Sequence, residues 1–259
     1  MLIREFIEKF EEVIPKDLQD SWDNSGVQVG NLDLELKKIF ICLDVTDQVI
    51  DQAGQAGANL IIAHHPTLFK AKKSLSYDDF ISKKIIDALK NDMVIYASHT
   101  AIDVNENGLN KYVFSKMGFE SQGKIEVTED PHGYGDFSNI EEESITEISE
   151  RIKDNLAIDH IVYYGPLDKK VKKVGLVTGA GASFIDQVKD LAIDLFITAD
   201  VKHHDAMDFV EQGISVMDLG HYQSEKLFNP LVGQIIGKID SKIEFVLEDE
   251  QDLFKRNIL

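Results

Sequence analysis

Two rhythms of apolar residues run along this chain. Residues 2–13 place Phe6, Ile7, Phe10 and Val13 on one face, the spacing of an amphipathic helix. Residues 38–45, 60–64 and 93–98 are short, mostly apolar runs, which predict strands buried on both faces. Helical patterns separate them. Thr46 stands as an N-cap for a helix through Ala56, and residues 78–90 repeat Phe80, Ile81, Ile85, Ile86 and Leu89 at helical spacing. Residues 108–117 predict a further helix, ended by Gly118.

The rhythm breaks at residues 123–143. This polar stretch holds Pro131, Gly133 and Gly135 and predicts a loop or hairpin beside a domain boundary. A helix at 146–155 and a strand at 160–164 follow, and then the opening pattern returns. Strands are expected at 174–178, 195–199 and 214–217, with helices at 182–191 and 205–211. A shift of 135 positions lays Lys37-Lys38 on Lys172-Lys173 and Ile50-Asp51-Gln52 on Ile185-Asp186-Gln187. It also lays Leu60 and Ile62 on Leu195 and Ile197, with no gap. Such self-similarity predicts a duplicated α/β unit. Residues 1–124 form the expected first lobe, completed by residues 226–259, and residues 125–225 form the second.

Composition narrows the partners more than the fold. A chain of 259 residues, 43% hydrophobic and 28% charged, suits one large or two modest globular domains. A net charge of −19 excludes a general nucleic-acid binder and an anionic membrane surface as partners. It leaves room for a phosphorylated small molecule if divalent cations reverse the sign locally. The single cysteine, Cys42, lies in an apolar run and reads as a core hydrophobe, which rules out an internal disulfide and a Cys-based zinc site. The first residues begin an amphipathic helix, not a signal peptide, and no apolar stretch reaches membrane-span length. The expected location is the cytoplasm.

Chemistry gathers where the apolar runs stop. One run ends Ala63-His64-His65-Pro66. Another ends Ser98-His99-Thr100-Ala101-Ile102-Asp103. A third ends Asp218-Leu219-Gly220-His221-Tyr222-Gln223-Ser224-Glu225. Four of the eight histidines stand in these three places. Neighbouring strand residues point to opposite faces, so His64 and His65 converge only if the strand has broken, as Pro66 suggests. Three imidazoles and two carboxylates (His64, His65, Asp103, His221 and Glu225) exceed the needs of one catalytic metal and suit two, with one carboxylate shared. Nitrogen and oxygen donors without thiolate fit Zn, Fe, Mn, Co or Ni. His221 and Glu225 would share a helix face. In open α/β sheets, ligands bind outside the carboxyl ends of strands, where all these residues fall.

With Ser21-Trp22-Asp23-Asn24-Ser25-Gly26-Val27-Gln28-Val29-Gly30, Gly108-Leu109-Asn110 and Gly179-Ala180-Gly181, these motifs resemble the GTP cyclohydrolase I type 2 homologue family, also called the Ngg-one-interacting-factor-three-like family. The resemblance runs from end to end. It implies two related α/β lobes, a duplicated three-layer unit, with a dinuclear divalent-metal site in the cleft between them. It implies a toroidal homohexamer. It carries the metal-ligand positions to His64, His65, Asp103, His221 and Glu225, with Glu225 as the bridge. Ala101 and Val104 depart from the Asn and Ala frequent around the family's aspartate, and Asp200 stands where Glu is frequent. The central stretch is too short for the extra domain some members carry.

The remaining candidates receive smaller roles. His99 is expected to orient a ligand by hydrogen bond. His203-His204 starts or caps a helix. Trp22 to Gly26 reads as a turn, placed beside the site by the family likeness. The amides of Gly179-Ala180-Gly181 are suited either to an anion or to tight packing. His132 and Tyr134 lie in the central loop and are assigned no role. The expected function is a metal-dependent hydrolase acting on a nucleotide, heterocycle or phosphate ester, GTP ring opening included. The alternative is a metal-binding scaffold or interaction module without turnover.

Overall fold

A computed structural model describes residues 1–248, so the last part of the expected closing segment 226–259 lies outside the described residues. The chain divides into two compact units. One comprises Met1–Ile102 with the carboxyl-terminal segment from Phe228, and the other is Asp103–Leu227. The first unit is therefore discontinuous in sequence.

The first unit opens with α1 (Ile3–Val13), followed by β1 (Gly26–Val29), β2 (Ile39–Cys42), α2 (Asp47–Gln55), β3 (Leu60–Ala63), α3 (Phe80–Lys90) and β4 (Val94–Ala97). A short helix, α4 (Thr100–Val104), carries the chain onward, and α10 (Phe228–Ile239) and β12 (Phe245–Leu247) complete the unit. The sheet order is β1-β4-β3-β2-β12, parallel except for β1. Strands β2, β3 and β4 are buried along their whole lengths, as their continuous apolar runs require. Thr46 caps α2 by accepting from the Val49 amide, and Asp79 caps α3 by accepting from Ser82. The core packs Phe40, Val49, Ile61, Ile85 and Ile95 between sheet and helices.

The second unit contains α5 (Leu109–Lys116), β5 (Glu126–Glu129), β6 (His132–Tyr134), β7 (Asp136–Ser144) and α6 (Ile145–Leu156). It continues with β8 (Val162–Tyr164), β9 (Lys170–Leu176), α7 (Ile185–Asp190), β10 (Leu195–Thr198), α8 (His203–Glu211), β11 (Ser215–Asp218) and α9 (His221–Glu225). Its sheet runs β7-β9-β10-β11-β8, with β9, β10 and β11 parallel and both edges antiparallel. The core includes Val188, Phe196, Phe209 and Val216.

The two units share one plan. Each presents helix, antiparallel edge strand, and then strand–helix–strand–helix–strand, with the edge strand beside the last strand: β1 on β4, and β8 on β11. The shift of 135 positions carries β3 onto β10 residue for residue. It carries α2 onto the 3-10 turn Ala182–Phe184 plus α7. Duplicated α/β lobes are the fold of this protein.

Two stretches differ from expectation. Residues 123–143 hold the hairpin β5–β6, but also most of the nine-residue strand β7. Its inward positions are Asp136 and Ser138, so no apolar alternation marks it. The buried Asp136 is satisfied by Lys124 at 3.0 Å and by Ser121. Helix α5 packs on β7 and α9, which places the division between units at Ile102/Asp103. No described helix is long and apolar enough to cross a membrane.

Candidate metal centre

His64 and His65 immediately follow β3, and His99 follows β4 by one residue. Parallel pairing of β3 with β4 brings these strand ends together. The ligand atoms of His64, His65 and His99 all lie within 4.8 Å of one another. Each ring is braced through Nδ1. His64 bonds the Ser98 carbonyl at 2.9 Å, His65 bonds Asp44 at 2.9 Å, and His99 bonds Asp23 at 2.8 Å. A carbonyl or carboxylate only accepts, so each Nδ1 carries the proton and each Nε2 carries a lone pair, the kind of donor a cation or a proton requires. Phe228 lies against the His64 ring, and His64 is fully buried.

Asp23 is the most constrained of the bracing groups. Its side chain is fully buried. It accepts from His99, from the Thr100 amide and hydroxyl, and from Ser25. Burial raises the pKa of this carboxyl, but the bonds from His99, Thr100 and Ser25 outweigh burial and hold it well below the usual carboxylate range. The turn at Trp22 to Gly26 thus builds a carboxylate–imidazole pair.

The second unit shows a parallel construction. Gly220, at φ 80°, turns the chain after β11 and starts α9. His221 Nδ1 bonds Asp200 at 2.8 Å, and His221 Nε2 stands 3.0 Å from the Glu225 carboxylate, one helical turn on. With Nδ1 donating, a neutral Nε2 is an acceptor facing another acceptor. That approach calls for a cation, either a proton or a metal ion. Glu225 is buried and lies against Gly179, where a Cβ would collide with its Oε1. Ser224, beside it, accepts from the Gly179 amide at 3.0 Å.

Asp103 is buried on α4. Its carbonyl accepts from Asn110 Nδ2, while Asn110 Oδ1 accepts from the amide and hydroxyl of Thr178. Asn110 thus links Asp103 to the turn that holds Glu225. Among the sequence candidates, the structure brings His64 and His65 together with His99, and His221 with Glu225. The Gly179 and Gly181 amides donate to Ser224 and Thr198, so both are engaged in packing this turn. His203 and His204 open α8 in exposed positions, and His132 accepts from the Glu106 amide. Sequence reasoning missed Asp44 and the full part of Asp23, and it noted Asp200 without its partner His221. An acidic residue just past a strand end, as at Asp44 and Asp200, is the signal that was available.

Duplicated α/β units with carboxylate-braced histidines at their strand ends define the class. The chain belongs to the Duf34/NIF3 (NGG1p interacting factor 3) family, whose model matches residues 1–252. It is 32% identical over 255 residues to a Clostridium perfringens protein named GTP cyclohydrolase 1 type 2 homolog, covering 96% of this chain and 97% of the relative. It is 32% identical over 239 residues to the GTP cyclohydrolase 1 type 2 of Helicobacter pylori, covering 91% of each. Among solved structures, the Bacillus cereus protein related to NIF3 matches with a TM-score of 0.90 at 24% identity, over 97% of this chain and 98% of that one. Reduced HcgD from Methanocaldococcus jannaschii matches with a TM-score of 0.81 at 29% identity, over 96% and 98%.

Proposed function

We propose that the protein is a metal-dependent hydrolase that holds two divalent cations through His64, His65, Asp103, His221 and Glu225, with Glu225 as the shared carboxylate. The observation that carries this reading is the pair of imidazoles at the end of β3, each braced through Nδ1 by a backbone or carboxylate oxygen, with His221 braced the same way by Asp200. Imidazole and carboxylate donors without thiolate suit Zn, Fe, Mn, Co or Ni. When bound, such ions supply Lewis acidity and make water a nucleophile near neutral pH.

The chain's own residues do the rest. Asp23, ionised at neutral pH, keeps the proton on His99 Nδ1 and stabilises the imidazolium once Nε2 takes a second proton. His99 is then the base of the site instead of a ligand. Relatives named GTP cyclohydrolase 1 type 2 make opening of a purine ring one candidate reaction, and phosphoester hydrolysis another. The family likeness also supports a closed homohexamer.

The test begins with metal content after reconstitution. Two equivalents per chain are expected, falling in Asp103→Ala and Glu225→Gln. The loaded protein is then screened against nucleotides and phosphoesters. Turnover no greater than that of Asp103→Ala, with metal still raising Tm, would replace the hydrolase by a metal-binding scaffold.

A further inference from the structure

The first unit contains a cavity of about 600 Å³, within the range of small-molecule sites. Its lining includes Trp22, Phe69, Leu75 and Leu89, which are 58%, 51%, 50% and 50% exposed. Four large apolar side chains so open to solvent on one cavity are costly unless something covers them. Trp22 meets Phe69 edge to face at 6.1 Å, and meets His99 edge to face at 6.0 Å. Asp23, which braces His99, lines the same cavity. The cavity therefore adjoins the histidine trio.

Its shape is held in advance. Asn24 Nδ2 donates to the Leu68 carbonyl at 2.7 Å, and the Leu68 amide donates to Gln28 Oε1 at 3.1 Å. Gln28 Nε2 donates back to the Asn24 carbonyl at 2.6 Å. Both polar groups of Leu68 are thus pinned, and Phe69 is fixed opposite Trp22. Immediately after Phe69 come Lys70, Ala71, Lys72 and Lys73. Ala71 and Lys72 line the cavity, and Lys70 and Lys73 are exposed beside them. Lys72 is already paired with Asp79 at 2.8 Å. In a chain of net charge −19, three lysines within four residues beside an aromatic cavity are a local concentration of positive charge.

From this juxtaposition we infer that the cavity is a nucleotide subsite: Trp22 and Phe69 receive the planar base, and the Lys70–Lys73 run receives the phosphate. Aromatic faces bind bases through stacking, and lysines bind phosphate as point charges. The inference rests on the hydrolase reading above and names its substrate class. It places the base beside His99.

The full-length protein, metal-free and metal-loaded, is titrated by calorimetry with AMP, GMP, CMP and UMP. Trp22 is the only tryptophan, so its emission follows the same titrations. At least one nucleotide should bind saturably to both forms, and more tightly than ribose 5-phosphate. Trp22→Ala should weaken it about tenfold or more, and Trp22→Phe should restore most of the affinity. Lys70→Ala with Lys73→Ala should weaken the nucleotide but not its nucleoside. Binding by none of the four, or equal affinity in Trp22→Ala, would overturn the inference. A changed sedimentation coefficient in Trp22→Ala without nucleotide binding would assign the surface to a second copy of the chain. Metal uptake without nucleotide binding removes only this inference, and nucleotide binding without metal uptake removes only the metal reading.

Discussion

Asn110 makes three hydrogen bonds from a position 1% exposed, and none of them is to a charged side chain. Its amide joins the carbonyl of Asp103 to the turn at Thr178, and through Gly179 to the helix of His221 and Glu225. If Asp103 and Glu225 hold metal, Asn110 sets their spacing. Asn110→Ala should therefore weaken manganese binding about 10–100-fold, the usual effect of removing a group that orients a ligand. It should also cost the metal-free protein about 1–3 kcal/mol, because the Thr178 amide loses its acceptor in a buried place. Calorimetry with manganese and urea unfolding of the metal-free form read the two effects separately. Unchanged manganese affinity would show that Asn110 supports only the fold.

At the scale of elements, the strands that carry the donors were legible because buried parallel strands are written as unbroken apolar runs. Residues 60–64 and 93–98 announced β3 and β4, and Thr46 announced α2 by its hydroxyl. Which histidine each bracing carboxylate would meet was not legible. Asp44 reaches His65 across 21 residues, and Asp23 reaches His99 across 76. No local pattern records a partner set by strand pairing. β7 was hidden because its buried residues are polar, and β1 because Val27 faces solvent within a strand of four residues. Gly179 was noticed for its amide but matters for its missing side chain. It stands at φ 64° with Glu225 Oε1 where a methyl would go. Gly179→Ala should lose metal binding, while Gly213→Ala, at φ 80° with open space around it, should cost only the backbone strain of about 1–2 kcal/mol. Metal titration and thermal melts of both variants separate collision from strain, and equal losses in the two would remove the collision.

Across the whole molecule, acidity leaves a mark on stability. Glu248 accepts from the Leu43 amide beyond the end of β2. Burial pushes its carboxyl up to about 7; the Leu43 bond opposes the shift, and Asp44 adds to it. A carboxyl with a raised folded-state pKa favours the folded state most below its unfolded value. That advantage is lost as pH rises through the folded value. Metal-free protein should therefore lose stability between about pH 4.5 and pH 7 from this group. Glu248→Gln should raise Tm at pH 8 and leave it unchanged at pH 4. A Tm difference independent of pH would refute the shift.

The discontinuity of the first unit has a consequence during synthesis. β2 is flanked by β3, made soon after it, and by β12, made after the whole second unit. Until Phe245–Leu247 leaves the ribosome, Ile39–Cys42 keeps one hydrogen-bonding edge unpaired, and α10 is not yet there to pack on it. An open apolar edge is a template for strands of other chains. The nascent protein thus carries an adhesive edge for as long as its entire second unit takes to be translated, and a chaperone that shields β2 would be needed most in that interval.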